Sequence, residues 1–313
     1  MLSALRASPF AAYGLYLFGS ALFASNPVLG RALANLVPPV GLTFWRWGIA
    51  FLMVLPLALP GLLTHRRQLL KDWRRYILLG VFGQGISGAV VYYGLAHTGA
   101  TNASLIYATS PVFTLIIAAV WLGETIRMRQ IAGILVAMAG VLVILTRGDT
   151  DALLRLSFHF GDLLILAGAV SWAFFTILLR QTNPPLPAMT SFAANALGGL
   201  LVMAPFYAWE TVAVRPVPFN ATTILSIAAV ALFASVLAII VYQKTIAMMG
   251  AAQASTALYV SPFWAALGSW LLLGEGLELF HLAGVALVLP GVALATLPSR
   301  GTAKATIPAA DGA

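Results

Sequence analysis

Cysteine is absent from all 313 residues, so the chain can form no disulfide and no thiolate metal site. Charge is scarce as well. Asp, Glu, Lys and Arg make up 8% of the sequence, against about 25% in an average soluble domain. A chain this poor in charge cannot cover a folded surface in water. The net charge of +8 therefore reads as basic loops flanking a bilayer rather than as a nucleic-acid footprint.

The shortage of acids narrows the chemistry further. The nine carboxylates are Asp72, Glu124, Asp149, Asp151, Asp162, Glu210, Glu275, Glu278 and Asp311, and none falls at the centre of an apolar run. His65, His97, His159 and His281 also lie near run ends. No carboxylate pair is placed for acid–base work, no metal-ligand cluster is visible, and no Gly-Lys phosphate loop marks an ATP site. No catalytic residue, metal or cofactor is expected. A mid-membrane acid that would carry a coupling proton is missing too. A proton remains open as coupling ion only through an interfacial acid.

What the chain has instead is apolar length. Hydrophobic residues reach 61%, and runs of about 20 residues, enough to span a bilayer, recur from end to end. Ten spans are expected, near 10–30, 41–60, 76–96, 101–122, 128–146, 160–180, 187–208, 222–244, 251–273 and 278–297, followed by a disordered tail over 298–313. With the N-terminus in the cytoplasm, twelve Lys and Arg fall at cytoplasmic ends, four at external ends, and Arg46 lies inside span two. That bias places both termini inside.

One phrase occurs twice. "YATSPVFTLIIAAVWLGE" ends at Glu124 and "YVSPFWAALGSWLLLGE" ends at Glu275, and Pro111 and Pro262 stand 151 residues apart. The same offset pairs Gly99 with Gly250, Ala103-Ser104 with Ala254-Ser255, Gly133 with Gly284, and Gly140 with Gly291. Apolar letters match cheaply; a proline, a glutamate and four glycines at one offset do not. A five-span unit is duplicated, over 10–146 and 160–297. Because five is odd, the second copy crosses the membrane inverted, an architecture used by secondary transporters. Each Gly-Glu is expected to end a helix, and the glycine pairs 133/140 and 284/291 to pack helices closely.

On the phrases "GATNASLIYATSPVFTLIIAAVWLGE" and "GAAQASTALYVSPFWAALGSWLLLGE" the sequence resembles bacterial drug/metabolite transporters of the EamA type. The resemblance runs from Phe10 to Leu297. It implies an all-α membrane protein of ten helices in two inverted repeats, in the bacterial inner membrane. It implies export of amino acids or related metabolites by alternating access. An integral-membrane enzyme or lipid-handling protein is the alternative, and it lacks a catalytic constellation.

A mid-span proline removes an N–H and clashes with the carbonyl four residues earlier. Pro111 and Pro262 are therefore expected to kink spans four and nine around a midplane cavity, helped by Ser110 and Ser261. Arg46, in "TFWRWGIAF", either faces that cavity or snorkels beside Trp45 and Trp47 to the interface. Asn26, Gln84, Ser87, Tyr92, Tyr107, Ser171, Trp172, Asn195 and Tyr259 lie at depth, and Tyr242 adjoins the end of span eight. Together these side chains read as a pocket for a small amphipathic solute, with the lipid bilayer as the only other partner.

Overall fold

The computed structural model describes residues 9–149, 159–181, 186–249 and 257–296. The tail over 298–313, the side chain of Tyr259, and Gly250, Ala254 and Ser255 lie outside the described residues. All regular structure among those described is helical. The long helices are α1 (Pro9–Leu33), α2 (Pro39–Thr64), α3 (Trp73–Leu95), α4 (Ala100–Leu122), α5 (Met128–Leu145), α6 (Phe160–Arg180), α7 (Ala188–Ala213), α8 (Ala221–Met249), α9 (Ala257–Leu273) and α10 (Leu279–Thr296). A short helix, Arg66–Lys71, carries the basic loop between α2 and α3.

Among the described residues seven helices, α2 to α8, are long and apolar enough to cross a bilayer, against the ten expected above. Ser20, Ser25 and Asn26 dilute the middle of α1. The described stretches Val260–Leu273 of α9 and Leu279–Ala295 of α10 are apolar as well.

Helix ends follow their sequences. Pro39 opens α2, where a missing N–H costs nothing. The Asn220 side chain accepts from the Thr223 N–H at 2.9 Å and caps α8. Gly123 and Gly274 both adopt a left-handed φ of 67° and stop α4 and α9. The Glu that follows each glycine donates its N–H back to the helix, Glu124 to Ala118 O and Glu275 to Ser269 O. The repeated Gly-Glu is thus one C-terminal cap used twice.

The two repeated prolines do different things. α4 is broken: one helix covers Ala100–Tyr107 and a second starts at Ser110, with Pro111 in its first turn. The turn at Ala108–Thr109 removes the clash a continuous helix would have with the Tyr107 carbonyl. The hydroxyl serving this break belongs to Thr109, which donates to Ile106 O at 2.6 Å, and not to the expected Ser110. Pro262, by contrast, sits inside the uninterrupted α9. The expected pair of equivalent kinks is therefore one break and one continuous helix.

α5 and α10 pack backbone to backbone. A Cβ at Gly133 would meet Gly291 O at 2.6 Å, and one at Gly140 would meet the Val288 N at 2.8 Å. A Cβ at Gly284 would strike Ile144, and one at Gly291 would strike Ala137. A shift of 151 residues converts the contact of Gly133 with Ala295 into that of Gly284 with Ile144, and the contact of Gly291 with Ala137 into that of Gly140 with Val288. The glycines are packing positions, as their spacing implies.

Gly291→Leu should therefore force α5 and α10 apart, at a cost of about 1–3 kcal/mol or more. Gly276→Leu, in open space, should cost almost nothing. Thermal unfolding of the two purified variants in one detergent checks the contrast.

Candidate functional site

The backbone is irregular where the polar residues gather. α3 is π-helical over Val81–Val90, and α8 is π-helical over Leu232–Leu237. These stretches start 151 residues apart, the offset of the repeated phrase. A π turn re-aims side chains and loosens the regular bond ladder, and such turns cluster at functional sites. Away from water a loosened carbonyl needs another donor. Ser171 of α6 supplies one, donating to Phe82 O at 2.7 Å. Within the same stretch the Ser87 hydroxyl shares a 2.6 Å hydrogen bond with that of Tyr107, the last residue before the break in α4.

Arg46 lies at the centre of this region and is only 7% exposed. It does not snorkel. Its Nε donates to Ser235 Oγ at 3.0 Å, and its Nη1 donates to Tyr92 OH at 2.7 Å and Asn26 Oδ1 at 3.1 Å. Tyr92 OH in turn donates to Asn26 Oδ1 at 2.8 Å. The guanidinium carbon stands 5.1 Å from the Trp47 ring centre and 5.7 Å from that of Tyr92. Four helices, α1, α2, α3 and α8, thus meet at one cation, and every partner in the ring is neutral. Hydrogen bonds to a charged group contribute about 1.5–3 kcal/mol each, enough to fix these helices against one another.

One end of the bundle is tied shut above this ring. Arg31 at the end of α1 pairs with Glu275 at 3.1 Å, and its Nη1 donates to Leu95 O and Ala96 O at the end of α3. Glu275 also accepts from the Ala100 N–H, which opens α4, and from the Ser269 hydroxyl. At the same end Glu210 accepts from the Val40 and Gly41 N–H groups that open α2, at 3.1 and 2.7 Å. Asp162 accepts from the Thr98 hydroxyl. Asp162 and Glu210 are buried, although both were read as end-of-run acids. Each sits where a helix begins, and backbone N–H groups and the helix dipole make that a favourable place for a carboxylate.

The remaining expected residues divide. Asn26, Arg46 and Tyr92 are brought together, and Ser171 and Tyr107 adjoin them through the π stretch of α3. Gln84 and Asn195 are buried, and each has a side-chain oxygen with no hydrogen bond. Trp172 lies 6.3 Å from the Tyr107 ring and 4.8 Å from that of Phe175. Tyr242 packs edge-on to Phe23, outside the Arg46 ring. Ser110 and Pro111 flank the break in α4, and Ser261 and Pro262 lie within α9. Ser235 was missed. Its signal was the repeat, since Ser235 stands 151 residues after Gln84.

Comparison with known proteins agrees on class. The sequence model of the EamA-like transporter family matches residues 11–146 and 159–297. The uncharacterized transporter YyaM of Bacillus subtilis (strain 168) is 28% identical over 270 residues, covering 86% of this chain and 88% of that protein. A probable terminal-alkyne amino-acid exporter of Streptantibioticus cattleyicolor is 28% identical over 234 residues, covering 75% and 76%. A crystal structure of a protein superposes with a TM-score of 0.58 at 19% identity, covering 92% of this chain and 98% of the other, a likeness of fold.

Tyr92→Phe removes the hydroxyl that accepts from Arg46 and donates to Asn26. It should destabilise the purified protein by about 1.5–3 kcal/mol. Tyr93→Phe, on an exposed neighbour, should leave the melting temperature unchanged.

Proposed function

The chain belongs to the EamA-like transporter family, and we propose that it is a secondary exporter of amino acids or related small metabolites, working by alternating access. The observation that carries this reading is the buried polar ring at Arg46. It draws Asn26, Arg46 and Tyr92 from the first matched segment and Ser235 from the second. A polar site shared between two halves is where rocking of one half against the other exposes a solute to alternate sides. The amino-acid exporter among the relatives supports the substrate class.

The architecture we propose is ten spans in two inverted five-helix repeats, 10–146 and 160–297, with both termini in the cytoplasm of a bacterial inner membrane. Several contacts support it. Glu275, just past the end of α9, meets the N–H that starts α4, a contact that supports an antiparallel arrangement of the repeated helices. The α5–α10 contacts interconvert under the repeat offset. In this orientation the Arg31–Glu275 pair joins the two repeats across the external face, and the protein is closed on that side. The broken α4 and continuous α9 supply the difference between halves that a one-sided closure requires. An enzyme reading finds no support, because the family and the named relatives are transporters.

Reconstituted protein should exchange labelled amino acids across proteoliposome membranes, and exchange should persist when the proton gradient is collapsed, since no acid joins the Arg46 ring. Loss of exchange on collapse would assign the coupling to a proton on an interfacial acid. No movement of any solute in the panel would sink the transport reading.

Topology is tested separately. The chain has no native cysteine, so single cysteines at Thr125 and Gly276, exposed neighbours of the two repeated glutamates, can be labelled cleanly. Labelling from opposite faces is expected. Labelling from one face overturns the inverted repeat.

A further inference from the structure

Arg46 carries a full charge in a ring that contains no anion. Its three side-chain partners, Ser235, Asn26 and Tyr92, are a hydroxyl, an amide and a phenol. The acids that could reach the neighbouring helix ends have other partners: Glu210 holds two backbone N–H groups of α2, Glu275 holds Arg31, and Asp162 holds Thr98. A buried charge without a counter-ion costs several kcal/mol. Native proteins retain such a charge where a ligand supplies the missing one.

A second observation points the same way. The Trp47 ring lies against the guanidinium, and its indole N–H is buried with no acceptor. An indole nitrogen only donates, so this orphan calls for an acceptor beside Arg46. The Arg46 Nη2 atom makes none of the bonds that Nε and Nη1 make. Nη2 and the Trp47 N–H are thus two unused donors, one on the guanidinium and one on the ring whose centre lies 5.1 Å from it. A carboxylate oxygen pair answers both needs, because guanidinium and carboxylate match in shape as well as charge.

We propose that Arg46, assisted by Trp47, is the docking point for the carboxylate of the transported solute, and that an ammonium group on that solute is dispensable. This rests on the transporter reading and narrows it. No carboxylate stands in the ring to pair with an ammonium, whereas the half-buried rings of Tyr107 and Trp172, 6.3 Å apart, offer aromatic surface for an apolar body. The favoured class is small organic acids with a hydrophobic or aromatic part. Amino acids belong to it through their carboxylate; cationic amphiphiles do not.

The test uses the purified wild-type protein and four probes: L-phenylalanine, 3-phenylpropionate, L-phenylalaninamide and phenethylamine. Binding is followed by calorimetry and by ligand-induced thermal shift. The two carboxylates should bind with comparable affinity, and each should bind about 10- to 100-fold more tightly than the amide or the amine, the worth of a hydrogen-bonded charge. Arg46→Gln should abolish that preference, Arg46→Lys should keep part of it, and Trp47→Phe should weaken both carboxylates while leaving amide and amine unchanged. Carboxylates that bind wild-type protein no better than the amide and amine overturn the proposal without any variant having to fold. So does binding of phenylalanine with no binding of 3-phenylpropionate, which would make the ammonium essential. If neutral or cationic solutes cross proteoliposomes as fast as acids, this inference fails while the transport reading stands. If the probes bind as expected and nothing crosses, the reverse holds.

Discussion

A single guanidinium without a carboxylate partner organises the centre of this protein. Arg46 sits in an apolar bundle where water is not at hand to solvate it, and three neighbouring helices converge to supply oxygens instead. The convergence needs α1 to present an amide at Asn26, α3 a phenol at Tyr92 and α8 a hydroxyl at Ser235. Because these partners come from both matched segments, any motion of one segment against the other acts directly on the ring.

Placing the ring costs regular backbone, and the departures in α3 and α4 are each matched by a nearby donor. The π stretch of α3 brings Ser87 to Tyr107 and leaves Phe82 O to Ser171. The break in α4 leaves Ile106 O to Thr109. The same rule operates at the Arg31 end, where Glu210 and Glu275 accept from the first N–H groups of α2 and α4. In an apolar medium an unmatched N–H or C=O costs several kcal/mol. The partner comes from another helix at the π stretch of α3 and at the starts of α2 and α4, and from the same helix at the break in α4.

The halves share a pattern without sharing a conformation. Gly123 and Gly274 have the same φ, and the π stretches start at equivalent positions. Yet Pro111 starts a new helix and Pro262 lies inside an old one. The two matched segments thus differ locally at equivalent positions of the sequence repeat. The α5–α10 seam sets glycine against the facing helix from both sides.

By itself the sequence determined the class, the apolar helices, the Gly-Glu caps and the glycine seam. All of these are set by composition, spacing or backbone preference, which act locally along the chain. It also singled out Asn26, Arg46 and Tyr92 as polar residues at depth, because a polar side chain in an apolar run stands out whatever it touches. Only the tertiary structure decided that Arg46 is buried rather than snorkelling, since the partners that hold it lie 20, 46 and 189 residues away. The same holds for Ser235, an ordinary letter in "LFASVL" until α8 is laid against α2. It holds too for the unequal fates of Pro111 and Pro262: the proline removes the same N–H in both helices, yet only α4 is broken.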